Sequence, residues 1–395
     1  MENKKFMDIL QLGEDSKTQF KEYFSSVDAM AAEIGAFANT EGGRIFVGVN
    51  DRGEITGLTK ENISQLNQMV SNVCSQKIDP TLSVITENLK LEDKIIMIIN
   101  VPMGSNKFYI SNGKDVWVKV GADKRRAKRE EMKRLLQEST LLFADEQSVE
   151  GTSIKDLDMD IVKDFLENKA HENLDKIRIP TEKILHNMRI MNNEECTIAG
   201  IILFGKKSYF NVSQFYIAAV SWYGNDIAGV EYRDSENIHG NIIRQYQDGM
   251  AFIKRQLRKL QDGQGFNSLG ILEIPEVAIQ EALVNAIIHR NYFIQSNIRI
   301  LVFDNRVEIV SPGTLPNTLD VESVKVGVRV ARNPIISSHI KAMPEIPYRE
   351  MGSGIPRILE SCNEAEMKVE FINQKLGPGQ FKVIFWRKSL IKNED

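Results

Sequence analysis

The stretch EALVNAIIHRNY, Glu281 to Tyr292, constrains this chain more than any other. Its apolar residues, among them Leu283, Val284, Ile287 and Ile288, predict a helix buried against a sheet. Yet Glu281, Asn285 and His289 recur at every fourth position. Residues four apart stand one turn above another on the same helix face. Advancing about 100° per residue, the three polar groups occupy one edge, beside an apolar stripe of Val277, Val284 and Ile288. Such a helix packs its back on a sheet and turns one edge toward a pocket.

A chain of 395 residues favours two or three domains. A hydrophobic share of 42% is enough to build packed cores, which excludes a disordered chain. No apolar run reaches the roughly 18 residues of a membrane span, and the opening MENKKFMDIL lacks the apolar core of a signal peptide. Cys74, Cys196 and Cys362 are too scattered for a disulfide framework or a zinc pattern. These features predict a cytoplasmic protein without a membrane partner. The net charge of −4 means that any nucleic-acid surface must be a local basic patch.

Three segments follow from the patterning. Residues 1–140 alternate helix and strand: VDAMAAEIGAFAN is a predicted helix stopped by TEGG, RIFVGVN and EITG flank a turn, and KIIMIINVP and DVWVKVG are strands. DKRRAKREEMKRLLQES is predicted as a closing basic helix. Residues 141–270 form a middle α/β connector, with CTIAGIILFGK and QFYIAAVSWYG as strands, an amphipathic helix at GNIIRQYQDGMAFIKRQLRKL, and glycine-rich DGQGFNSLG as the boundary. Residues 271–395 run helix, hairpin (NIRILVFD and RVEIVSPG), loop, glycine turn, helix and two strands. The expected class is α/β (α+β).

That last order resembles the GHKL family of ATP-binding domains, and more closely the divergent branch in bacterial proteins labelled RecG-like or transcriptional regulators. The resemblance implies a C-terminal GHKL-like α/β sandwich binding ATP and Mg²⁺. Asn285 would hold Mg²⁺ through its side-chain oxygen, and Glu281 would orient or deprotonate the attacking water. MGSGIPR would be the second glycine box, with Gly352 and Gly354 admitting phosphates to a helix N-terminus. Arg332 and Arg357 would be phosphate contacts. In the first box the family's Asp is replaced by Ser311, and Gly313 is the surviving glycine. A lone Glu–Asn pair is more often a surface or capping feature. Its order with the hairpin and GSG is what carries the nucleotide reading. His289 reads as a pocket-wall histidine.

GEDSKTQFKE and AFANTEGGRIFVGVNDRGEITG closely resemble the AlbA-like domain shared with Schlafen proteins. This resemblance implies nucleic-acid binding, to DNA or RNA, and in some relatives metal-dependent RNA cleavage by three carboxylates. Here those positions are Glu14, Gln19 and Asp51, so an amide stands where the nuclease needs an anion. Glu14 and Asp51, with Lys21, would make a reduced metal site, and ordinary turn or cap carboxylates are the plain alternative. Lys124, Arg125, Arg126, Lys128, Arg129, Lys133 and Arg134 are candidate phosphate contacts, although such a run is often just a solvated helix face. Relatives often add a C-terminal winged helix, which this chain is expected to lack. Together the two resemblances imply an ATP-responsive nucleic-acid-binding regulator, acting as a homo-oligomer when ATP orders its lid. The alternative is a nucleotide-controlled nuclease in phage defence.

Overall fold

Strand residues point alternately to the two sides of a sheet, and in the N-terminal part both sides are apolar. Ile45, Val47, Met97 and Ile99 share one buried cluster with Met30, Ile34, Phe37 and Ala38 of the helix Val27–Asn39. Phe20, Phe46, Ile96 and Ile98 gather on Phe6 of the helix Asn3–Leu12. The sheet is thus sandwiched, and it needs both helices. Its order is Thr18–Lys21, Gly43–Val47, Lys94–Val101, Ile85–Leu91, with the first pair parallel. Ser26 caps the Val27–Asn39 helix by accepting from the Ala29 N–H at 3.4 Å. The predicted stop falls at TEGG, where Gly42 has φ +70°.

The structure is a computed structural model describing residues 3–91, 93–138, 142–170, 179–206, 214–229, 231–260, 270–316, 319–348, 352–375 and 378–387. It divides into two units, Met1–Leu142 and Phe143–Asp395. Among the described residues no helix is long and apolar enough to cross a membrane. The three cysteines are free and buried.

The second unit is built on a six-stranded sheet ordered Tyr232–Ile238, Ile217–Trp222, Ile298–Val302, Arg306–Pro312, Gln380–Trp386, Val369–Gln374. Ile217–Trp222 runs parallel to Ile298–Val302 and the other neighbours are antiparallel. One strand expected in a separate connector, Ile217–Trp222, therefore extends the C-terminal sheet together with Tyr232–Ile238, and one buried cluster runs from Ala144 to Phe385. The expected boundary stretch near 270 falls largely on residues outside those described.

Three further expectations change. Ile198–Phe204 is a helix, not a strand, capped by Thr197 accepting from the Gly200 N–H at 3.1 Å. All seven of its residues are buried, so its sequence shows no polar face to reveal the period. The basic run is not one helix. Asp123–Arg126 is a strand paired to Asp115–Val120, and the helix is Arg129–Glu138. Finally, Val277 is 47% exposed and takes no part in the apolar stripe.

Candidate functional site

The helix Glu276–His289 turns the edge bearing Glu281, Asn285 and His289 into one pocket, as the four-residue spacing predicts. Its floor comes from two directly opposed strand pairs, Ile309 with Val383 and Ser311 with Phe381. Leu319, Val324, Val328 and Tyr348 close it from above. Flat apolar surface below and a polar edge beside it suit a ligand with an aromatic face and hydrogen-bonding groups.

The helix ends inside this wall, where its last carbonyls have no partner within the helix. Five side-chain bonds satisfy them. Ser311 Oγ donates to Ala286 O at 2.9 Å, and Tyr292 Oη to Ile287 O at 2.9 Å. Asn333 Nδ2 donates to Ile288 O at 2.7 Å and to Arg290 O at 2.9 Å. Arg332 Nη1 donates to His289 O at 3.1 Å, while its Nη2 bonds Thr314 O. Arg332, expected as a phosphate contact, is therefore a brace between the helix end and the turn after Gly313. That turn needs glycine: φ is +99°, and a Cβ would lie 2.6 Å from Asn291 Cβ. Ser311 gives its proton to Ala286 and presents an acceptor to the pocket.

The predicted glycine box meets the same edge. Gly354 begins the helix Gly354–Glu364, and a Cβ there would lie 2.8 Å from Glu281 Oε2 and 2.9 Å from Asn285 Nδ2. Gly352 serves a different contact, because a Cβ there would come 2.3 Å from Gly327 O. It lets the turn meet the loop that carries Val328 and Arg329. Arg357 Nη2 lies 2.6 Å from Glu281 Oε1. Burial raises the Glu281 carboxyl above its usual range, and Arg357 opposes that. Burial, then Arg332 and Arg329, push His289 down to about 4. It stays neutral at pH 7.

In the first unit Glu14, Gln19 and their neighbours form a buried polar chain. Gln19 Nε2 donates to Glu14 Oε1 at 2.5 Å, and its Oε1 accepts from Lys119 Nζ at 2.5 Å. Lys119 Nζ also reaches Ala122 O at 2.5 Å and Glu33 Oε1 at 3.4 Å, and Lys124 Nζ pairs with Glu33 Oε2 at 2.5 Å. Burial lowers the Lys119 ammonium's pKa, and the Glu33 charge resists that.

Residues 14–128 match the family described as "Schlafen, AlbA_2", and residues 295–385 match "Putative ATP-dependent DNA helicase recG C-terminal". The chain carries a Schlafen AlbA_2 domain and a RecG C-terminal-type domain. Residues 133–215 match a domain of unknown function, DUF8451. Among solved structures the chain is similar to the DIP2311 protein from Corynebacterium diphtheriae, at 18% identity and a TM-score of 0.46 over 97% of this chain and 80% of that one. No curated protein matches. The RecG C-terminal-type match begins after the helix Glu276–His289, yet that helix supplies the pocket's polar edge.

The metal implied for nuclease relatives of the AlbA_2 domain does not fit these residues. The amide of Gln19 is held between Glu14 and Lys119, so an ammonium already neutralises this cluster. Asp51 is 86% exposed in a turn, 4.0 Å from Lys21 Nζ. Among the described residues no three His, Cys, Asp or Glu side chains could hold a metal ion. Mg²⁺ with a nucleotide makes a lighter demand on the RecG C-terminal-type domain, since phosphates and water fill most of its shell. The Asn285 amide sits at the Gly354 cradle, and none of the hydrogen bonds among the described residues uses it.

The basic run is largely spoken for within the AlbA_2 domain. Lys124 pairs with Glu33, Arg125 grips Glu131 at 2.7 and 2.8 Å, and Arg126 meets Asp115 at 3.1 Å while stacking on Trp117. Lys128 and Arg129 are exposed, and the side chains of Lys133 and Arg134 lie outside the described residues. Lys119, Glu33 and Asn333 are the residues that sequence reasoning missed. Lys119 gives a signal in DVWVKVG, where a lysine alternates with valines in a strand. Asn333 gives one in ARNPI, where Asn precedes a helix-starting proline.

Proposed function

We propose that the RecG C-terminal-type domain binds an adenine nucleotide with Mg²⁺, and that its occupancy governs nucleic-acid binding by the AlbA_2 domain. The protein would then be an ATP-responsive nucleic-acid-binding regulator. The observation that carries this is the convergence of Glu281, Asn285, Ser311 and Gly354 on one pocket with an apolar floor. The Ser311 acceptor suits the amino group of adenine, and Ile309, Phe381 and Val383 suit its flat face. Asn285 would hold Mg²⁺ through its oxygen, and the metal supplies charge neutralisation for the phosphates. Glu281 would orient water beside them. The metal-dependent nuclease reading gains no support from the Glu14–Gln19–Lys119 chain.

The test uses the full chain with labelled single- and double-stranded RNA and DNA, with and without ATP and Mg²⁺. Binding is expected to fall steeply with salt, because each neutralised phosphate releases counterions. Replacing both Lys128 and Arg129 by alanine should lower the slope of log K against log salt by about 2. ATP should shift the affinity, and Asn285→Ala should remove that shift. Nucleic-acid binding that ignores ATP at every salt concentration would sink the regulatory reading.

A further inference from the structure

The pocket's carboxylate and its cation hold each other. Glu281 comes from the helix Glu276–His289 and Arg357 from one turn inside the helix Gly354–Glu364, and their 2.6 Å contact joins the two. The Glu281 side chain is 7% exposed and that of Arg357 32% exposed. Arg357 Nε also donates to Ser353 O at 3.3 Å, which tethers the guanidinium to the glycine turn. The other Glu281 oxygen, Oε2, faces the space in front of Gly354. A phosphate entering there would meet this carboxylate first, with Arg357 already occupied.

We propose that Glu281 acts as an internal stand-in for the ligand's phosphate, and that phosphate binding draws Arg357 from Glu281 in an exchange of ion partners. This rests on the nucleotide reading of the pocket and adds how that site is gated. Guanidinium groups pair bidentately with carboxylate and phosphate alike, so Arg357 can change partners without changing geometry class. The exchange leaves a buried carboxylate without its countercharge, which is costly, so the pair holds down affinity for phosphates while leaving the base subsite untouched. It also frees Glu281 only when a phosphate is in place, so the residue suited to orienting water is held back until then.

The test is calorimetric titration of the full chain with adenosine, AMP, ADP and ATP, with and without Mg²⁺, in the natural sequence, Glu281→Gln and Arg357→Gln. The Glu281→Gln substitution keeps the shape and an acceptor for Arg357 but removes the competing charge. Glu281→Gln is expected to bind ADP and ATP at least tenfold more tightly while adenosine binding is unchanged. In the absence of Mg²⁺, Arg357→Gln should bring ADP and ATP down to the affinity of adenosine. If Glu281→Gln binds ADP and ATP no tighter than the natural sequence, the exchange is wrong and the nucleotide pocket stands. If no form binds any of the four ligands, the pocket reading falls and the exchange with it. Thermal melting of each variant separates weakened binding from lost folding.

Discussion

Gly354→Val is expected to weaken nucleotide binding by about 100-fold or more, near 2.7 kcal/mol, while the chain still folds. Gly354 does not need a glycine backbone, because its φ is not positive, and a first-turn helical position tolerates a side chain. What the side chain would meet is the functional edge: Glu281 Oε2 at 2.8 Å and Asn285 Nδ2 at 2.9 Å from the first added carbon. Both atoms end flexible side chains, so they can move aside at small cost to stability. In moving they leave the arrangement proposed to hold phosphate and Mg²⁺. Titration with ATP and Mg²⁺, paired with a thermal melt, checks both halves. A variant that binds normally would show that the space before Gly354 is not the phosphate subsite.

The second large effect concerns Asp145, which is fully buried. Its Oδ2 accepts from the Ile335 N–H at 2.8 Å and the Ile336 N–H at 3.0 Å. It thereby fastens the segment after Leu142 to the one carrying Arg332 and Asn333, which in turn cap the pocket helix. Burial pushes its carboxyl up from 3.8 to about 7, although the two N–H groups pull the other way. A raised carboxyl pKa means that the folded state holds its proton more tightly than the unfolded chain. The contribution to stability is therefore fully present below 3.8, declines as pH rises, and is lost above about 7. The full span is on the order of 4 kcal/mol. Asp145→Asn keeps an acceptor for both N–H groups and cannot ionise. Its melting temperature should lose this pH dependence and exceed that of the natural chain at pH 8 by on the order of 5 °C. Parallel pH profiles for the two proteins would contradict the assignment.

The pocket edge was legible because it is local: Glu281, Asn285 and His289 are set by helical spacing alone. How that helix is terminated and braced was not. Ser311, Arg332 and Asn333 reach it from 25, 43 and 45 residues away, and no local pattern specifies such partners. The same distinction explains the strand at Asp123–Arg126. Its charges look like a helix face, but pairing with Asp115–Val120 and carboxylates at Glu33, Asp115 and Glu131 decide otherwise. The extended sheet follows this logic too, since Ile217–Trp222 finds its parallel neighbour about 80 residues onward. In the first unit the helix Val27–Asn39 and the strands Gly43–Val47, Lys94–Val101 and Asp115–Val120 were readable, the helix Lys60–Asn72 and the strand Ile85–Leu91 were not, and Gln19 was visible as a departure. What Gln19 does instead depended on Lys119, which is 100 residues distant.

The proposed nucleotide site lies along the edge of the helix Glu276–His289. The most direct measurement is calorimetric binding of ATP to the full chain with Mg²⁺, compared with Asn285→Ala. The natural chain should bind ATP with a 1:1 stoichiometry and more tightly when Mg²⁺ is present. In Asn285→Ala the gain from Mg²⁺ should disappear while the melting profile is preserved. Binding of ATP that is identical in the two proteins, or no binding in either, would contradict the account.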